Sequence, residues 1–267
     1  MTDVAARWAE ALEAWAIPED LLEAAPAPPY GFSVARFADR ADTAVRSGLS
    51  TPTLRRAAAL TPAAGSVLDV GCGAGAASLP LHTRAGRIIG VDESSDLLAA
   101  FTERAARLGV EGVPVTGRWP DVADHVPTAD VVVCSHVAYN VGDLDRFVEE
   151  LTGHARRAVV LELSQHHPLA WTAPFWRALH GIERPTRPTA DDAVAVIRTH
   201  AGQPSITRWE QRTRAGRGDG DGEDEVAFLR QHLCVGPERD EEIRAVLAQS
   251  PPPATRAVVT VAWRGAA

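Results

Sequence analysis

Between residues 66 and 163 the chain alternates apolar runs of strand length with amphipathic segments, and few folds accept that succession. SVLDV (66–70), RIIGVD (87–92), VPVT (113–116), ADVVVCS (129–135) and RAVVLEL (157–163) are short and mostly continuous in apolar residues, as strands buried on both faces are. AGAASLPLHTRA (74–85), SSDLLAAFTERAARLG (94–109) and DLDRFVEELTGHAR (143–156) read as helices between them. The second of these has capping serines and a terminal glycine. Such alternation builds a parallel sheet with helices on both faces. SITRWEQR (205–212) and the alternating TRAVVTVAW (255–263) supply two further strands. The expected fold class is α/β, with a doubly wound, seven-stranded, mostly parallel sheet.

About sixty residues of helical character come first. Val4, Trp8, Leu12 and Trp15 keep a helical period over 3–16, the proline-rich APAPPYG (25–31) breaks the pattern, and 33–47 resumes it. A third helix starts at STPT, where Ser50 or Thr51 can cap and Pro52 suits the first turn. The expected organisation is an N-terminal helical cap over 1–60 and a main domain over 61–267. Within the latter, 164–188, rich in His, Pro and Trp, is a substrate-side insertion, and TADDAVAVIRTHAG (189–202) is a well-capped helix. RAGRGDGDGEDE (214–225) reads as a solvated acidic loop, because it lacks the glycine and closing glutamate of a calcium loop. Helical material follows it to about residue 248.

The first strand ends in VLDVGCGAGAASLPL (67–81), where a glycine cluster follows a strand and precedes a helical pattern. Glycines at 71, 73 and 75 let backbone approach a ligand closely. Gly71, Gly73 and Ala76 even satisfy the G-x-G-x-x-G/A form of dinucleotide sites, and Asp92 at the end of the second strand suits ribose hydroxyls in either case. Asp69 discriminates. A pyrophosphate brought about 5 Å from that carboxylate would cost on the order of 3 kcal/mol per charge pair at an effective dielectric of 20. A cationic ligand would gain instead.

Composition removes other chemistries. All 27 basic residues are arginine, so Schiff-base catalysis and the P-loop lysine are excluded. A net charge of -8 disfavours a general nucleic-acid binder. Residues 154–217 nevertheless hold ten Arg against five acids, and five of the nine His. That excess is either a face for an anionic substrate or ordinary solvated surface. Three scattered cysteines suggest a reducing compartment. With no basic-then-apolar leader and no apolar run near the ~18 residues of a membrane span, a cytoplasmic protein without membrane association is expected.

DVGCGAG, VDES some twenty residues on, and ADVVVCSHVAYNV together resemble the class I S-adenosylmethionine-dependent methyltransferases, strongly over about 60–165 and loosely over the last two strands. The resemblance implies a Rossmann-like methyltransferase fold with S-adenosyl-L-methionine as cofactor. It implies that Asp69, Gly71, Cys72, Gly73 and Gly75 line the methionine portion, and that Asp92 holds the ribose. Glu93 and Leu97 would lie near the adenine. The segment after the third strand reads GRWPD, where the family's usual acid is displaced, so Arg118 and Trp119 are the candidates there, Trp119 by stacking. Ser135 and His136 follow the fourth strand and would complete the cofactor pocket.

Candidate catalytic residues are His136, Tyr139 and His166. His136 suits a general base if the acceptor arrives protonated; its alternative is packing or a backbone hydrogen bond. Glu162 and His166 are four apart on a strand-to-loop segment and share no helical face, so no metal is expected. Trp171, Phe175 and Trp176 would wall the acceptor pocket or simply pack a helix, with Tyr30, Phe32 and Arg36 closing it from above. The expected activity is methyl transfer to O, N or C of a small-molecule acceptor, aromatic or acidic, with nucleic acid disfavoured and a homodimer left open. The rivals are an RNA or protein methyltransferase, an NAD(P)-dependent oxidoreductase, and a silent cofactor-binding module.

Overall fold

The computed structural model describes residues 2–29, 33–213 and 222–266. Its sheet has seven strands: β1 (Gly65–Val70), β2 (Ala85–Asp92), β3 (Glu111–Thr116), β4 (Ala129–Ser135), β5 (Ala155–Ser164), β6 (Ser205–Arg212) and β7 (Thr255–Arg264). They lie in the order β3-β2-β1-β4-β5-β7-β6. The five from β3 to β5 are mutually parallel, and β7 runs antiparallel to both β5 and β6. Strand order reverses between β1 and β4. This is the switch point outside whose carboxyl ends ligands settle in open α/β sheets.

Alternation along the strands builds two cores. Leu68, Val70, Val132, Leu161, Val259 and Val261 face α6 (Leu144–His154) and α8 (Ala190–Ala201). Val67, Ile88, Val131, Val133 and Val160 face α5 (Ser95–Arg107) and its neighbours. The N-terminal helices divide between these faces. α1 (Asp3–Glu13) sends Trp8 into the first core, where its Nε1 donates to Val141 O at 2.8 Å. α4 (Pro52–Leu60), capped by Thr51, packs on the second face through Ala57 and Ala58. α2 (Glu19–Ala24) is a short helix between them. α3 (Val34–Ser47) is tied to α5 by the Arg104 fork on Asp42, at 2.9 Å for both bonds. A third cluster joins α7 (Ala173–His180), α9 (Gly222–His232) and α10 (Asp240–Gln249) around Phe175, Trp176 and Leu229.

One expected helix does not form. Residues 74–84 are a run of turns with a short 3₁₀ segment at Leu79–Leu81, and Ala85 already opens β2. Pro80 has no N–H to donate back to Ala76, and Ser78 turns its hydroxyl onto Asp69. Two local choices therefore override the helical composition. The 164–188 stretch is an excursion that contains α7. Tyr30 and Phe32 lie outside the described residues, as does most of the acidic loop. Among the described residues, no helix is long and apolar enough to cross a membrane.

Candidate active site

The glycine turn sits at the carboxyl end of β1. Gly71, Gly73 and Gly75 have φ of 69°, 53° and 93°, a region other residues enter at a cost. The turn is also crowded: a Cβ at Gly71 would lie 2.3 Å from Val137 Cγ2, and one at Gly73 would lie 2.8 Å from Phe37 Cδ1. Phe37 of α3 thus covers the turn, and a ligand laid along it must move that ring. A hollow of about 400 Å³ lined by Gln165, Arg208, Trp209, Glu210, Ala257 and Val258 lies along β6 and β7 instead.

Asp69 stands beneath the turn with 0% exposure. Ser78 Oγ donates to its Oδ2 at 2.6 Å, while Oδ1 is buried with no partner among the described residues. Burial pushes its pKa up to about 7; the Ser78 hydrogen bond opposes this and Asp92 adds to it. The acid was expected to be a standing negative charge. It is instead a buried group that is only part-ionised near neutrality, and a cation at Oδ1 would draw it into the charged form.

Asp92 is the second anchor. Its Oδ2 accepts from Gly73 N–H at 2.8 Å and its Oδ1 from Ser94 N–H at 3.0 Å. Each oxygen keeps a lone pair for a hydroxyl. Asp92→Ala therefore removes two backbone anchors, and the expected result is a loss of about 1–3 kcal/mol of stability by urea titration, together with weaker cofactor binding. Unchanged unfolding would show that the turn holds its shape without Asp92.

Around these, Glu93 pairs with Arg118 at 3.5 Å on the surface, and Leu97 is buried at the start of α5. Cys72 is buried, its thiol donating to Gly73 O at 3.4 Å. Trp119 is a correction. Only 6% exposed, it lies in the first core, edge-on to His154 with centroids 4.8 Å apart. His154 closes α6 just before β5 begins, at the opposite end of the sheet from the turn. The ring is therefore not offered to an adenine.

The three catalytic candidates separate. His136, directly after β4, has a φ of 61°, a conformation rare outside glycine and concentrated at functional sites. Its backbone N–H is tied to Glu162 O at 2.8 Å, and its Nε2 lies 3.0 Å from Glu162 Oε1. Tyr139 is a correction. Its hydroxyl donates to Ser164 O at 2.9 Å and its ring packs near Trp8 and His167, so it tethers the end of β5. Burial also raises its pKa well above the ordinary phenol value. His166 is exposed and pairs through its backbone with Thr189.

The neighbouring His167 stacks on Trp15 at 3.9 Å, and burial first, then Arg184, brings its pKa down to about 3. His180 donates from Nε2 to Leu233 O, 2.8 Å away, inside the third cluster. Trp171, Phe175 and Trp176 pack into that cluster as well. Of the arginines of 154–217, Arg156, Arg177, Arg187 and Arg208 pair with Asp130, Glu183, Asp192 and Asp191, which is the surface reading of that excess.

Sequence reasoning missed the residues that surround His136. Glu162 is 8% exposed, on the same face of β5 as Val160. Arg256 Nη2 of β7 lies 3.0 Å from His136 Nε2, and Arg256 donates from Nε and Nη2 to Gln211 Oε1 of β6 at 2.8 and 2.6 Å. One signal was available: a glutamate inside RAVVLEL must be buried, and a buried carboxylate needs partners.

Residues 67–157 match a family described as the methyltransferase domain. A protein of Haemophilus influenzae without an assigned function is 33% identical over 104 residues, which cover 38% of each chain. A phosphatidylethanolamine N-methyltransferase of Cereibacter sphaeroides is 31% identical over 120 residues, covering 43% of this chain and 58% of that one. The match thus spans about two-fifths to three-fifths of the length of these relatives. Among solved structures, a cyclopropane-fatty-acyl-phospholipid synthase-like protein from Lactobacillus casei has a TM-score of 0.54 at 15% identity, covering 92% of this chain and 98% of that one. The YcgJ protein from Bacillus subtilis has a TM-score of 0.53 at 14% identity, covering 80% and 98%. The matched segment begins two residues before Asp69 and takes in the glycine turn, Asp92 and His136, so the part of the chain that carries the candidate site is similar to the methyltransferase domain.

Proposed function

We propose that this protein is an enzyme that transfers the methyl group of S-adenosylmethionine to an O, N or C atom of a small-molecule acceptor. The observation that carries the reading is the unpartnered Oδ1 of Asp69, buried directly beneath a left-handed glycine turn. A buried polar atom without a partner is uncommon, and this one suits a ligand that brings a positive charge and N–H donors. The residues fit the cofactor. Asp69 and the backbone of Gly71, Gly73 and Gly75 would hold its amino-acid end and Asp92 its ribose. Glu93, Leu97 and Arg118 would border its base. When bound, it supplies an electrophilic methyl on a sulfonium.

What remains for the chain is to place and desolvate the acceptor, and to remove a proton where the acceptor carries one. His136 is suited to the second task. Burial lowers its pKa, against the opposing influence of Glu162, so the ring is neutral at pH 7. Burial, the largest influence, pushes Glu162 up, but the hydrogen bonds from His136 and Thr53 and the neighbouring positive charge together outweigh it and leave the carboxyl below its usual range. Glu162 thus holds the hydrogen on Nε2 and leaves the buried Nδ1 lone pair, which has no partner among the described residues, to accept a proton.

Calorimetric titration with S-adenosylhomocysteine and, separately, with NADH tests the reading. Binding of the first without the second is the expected result. Binding of NADH alone would overturn it in favour of an oxidoreductase.

A further inference from the structure

Two polar side chains interrupt the apolar runs of adjacent buried strands. Glu162 breaks VVLELS on β5 and Thr260 breaks VVTVAW on β7, and they are 8% and 3% exposed. The antiparallel register sets them directly opposite each other, so their side chains leave the same face as nearest neighbours. Thr53, in the first turn of α4 and equally buried, closes on the pair: its Oγ1 lies 2.6 Å from Thr260 Oγ1. A buried hydroxyl costs free energy unless it is bonded, and valine would fill either threonine's place without that cost.

The hydrogens of this group have one consistent placement. Trp209 of β6 donates from Nε1 to Thr260 Oγ1 at 3.0 Å, and an indole N–H accepts nothing. The two threonines carry two hydroxyl hydrogens, and the bond between them uses one. The other is left for the acceptor beside them, the carboxylate of Glu162. Thr53 is the threonine that bonds it, so Thr260 donates to Thr53. Every hydrogen from Trp209 onward therefore points toward Glu162, whose Oε1 faces His136 Nε2 at 3.0 Å.

That direction decides between two states of the histidine. Arg256 Nη2 also stands 3.0 Å from Nε2. With a hydrogen on Nε2 the ring donates to Glu162; with Nε2 bare it accepts from Arg256, and the hydrogen moves to Nδ1. A carboxylate that accepts from a hydroxyl is held in its ionised form and favours the first state. We propose that Thr53 and Thr260, with Trp209 as the outermost donor, are positioning residues that act through Glu162 to keep the hydrogen of His136 on Nε2 and leave Nδ1 bare. When Nδ1 takes the acceptor's proton, the imidazolium that forms is balanced by Glu162, and the hydroxyls donate hydrogen bonds throughout without releasing a proton. The use of Nδ1 as a base rests on the methyltransferase reading; the placement of the hydrogen does not.

Nitrogen NMR of the full chain with isotope-labelled histidine reads the tautomer, because a bare ring nitrogen resonates far downfield of a protonated one; His136→Gln assigns the signal. The wild-type ring is expected to carry its hydrogen on Nε2. Thr53→Val and, separately, Thr260→Val are expected to move the tautomer ratio toward Nδ1–H about tenfold or more, as loss of a hydrogen bond to a charged group does. Thr53→Ser, which keeps the hydroxyl, is expected to show the wild-type ratio. Glu162→Gln, which removes the charge, is expected to move it in the same direction as the valine variants. Thr260→Val, set among the valines of β7, gives the readout should Thr53→Val not fold.

A wild-type ring with its hydrogen on Nδ1 would overturn the proposal, as would valine variants that keep the wild-type ratio. So would a serine variant that shifts as valine does, since packing and not the hydroxyl would then set the tautomer. An unchanged ratio in Glu162→Gln would remove Glu162 from control of the ring and the threonines with it. All of these spectra are taken on the free chain. If the wild-type chain fails to bind S-adenosylhomocysteine in calorimetry, the methyltransferase reading falls, and the tautomers still decide the role of the hydroxyls.

Discussion

Asp69→Asn is expected to make the ligand-free chain more stable at pH 8 and, at the same pH, a poorer binder of S-adenosylmethionine. The folded pKa of about 7 stands above the ordinary carboxylate value of 3.8, so the folded state holds a proton that the unfolded chain has released. Stability then falls as pH rises from about 4 to about 7, and the loss is complete above that window. Three pKa units correspond to a ceiling of about 4 kcal/mol. Asparagine keeps an acceptor for Ser78 but leaves an amide N–H where Oδ1 had no partner, which costs about 1–3 kcal/mol. The net expectation is a gain of about 1–3 kcal/mol at pH 8 that turns into a loss of about 1–3 kcal/mol near pH 4, where only the amide's cost remains, read from urea midpoints at both pH values.

Binding moves the other way. Loss of a charged hydrogen-bond partner should raise Kd about ten- to a hundredfold, since such bonds contribute about 1.5–3 kcal/mol. A proton count adds an independent readout. Wild-type binding at pH 7 should release a proton, seen as a heat that depends on the buffer's ionisation enthalpy, and the asparagine variant should not show it. A variant that binds as tightly as the wild type would remove Asp69 from the site. A residue that destabilises the empty fold and strengthens binding is the pattern expected of a functional acid.

The parts of this fold that were legible in the sequence are those specified by local pattern. β6 and its bounds could be read from SITRWEQR, because an antiparallel edge leaves one face partly wet, whereas β7 lies inside the sheet and is buried on both faces over 258–263. The five parallel strands showed as apolar runs. Residues 74–85 misled because composition favoured helix, while Pro80 and the Ser78 hydroxyl, bonded to a residue nine positions away, decided the outcome. Aromatic side chains misled for a related reason. Trp119 and Tyr139 follow strand ends, where site residues are expected, yet both turn back into the first core, a choice set by the cavities that α1 and α6 leave. Glu162, Gln211 and Arg256 could not be assembled from the sequence, because β5, β6 and β7 meet only through the crossover order of the sheet. The arginine excess of 154–217 drew notice, whereas the arginine beside His136 comes from outside it.

Gly71→Ala is the second large effect, and it bears on how the turn and the catalytic loop share one space. Alanine at a φ of 69° costs about 1–2 kcal/mol. Its Cβ would also lie 2.3 Å from Val137 Cγ2, and such overpacking costs typically about 1–3 kcal/mol. The expected loss is about 2–5 kcal/mol by urea titration. Val137→Ala should recover the steric part and leave the conformational part, so a double-mutant cycle should show a favourable coupling of about 1–2 kcal/mol. Zero coupling would mean that the backbone shifts freely and that contact with Val137 does not explain the glycine. Because Val137 follows His136, the Gly71→Ala chain that still folds should also bind S-adenosylhomocysteine at least about tenfold more weakly, the equivalent of 1.4 kcal/mol. If relief at Val137 restores stability without restoring binding, the glycine serves the ligand through its own backbone; if both return together, it serves by giving the His136 loop room.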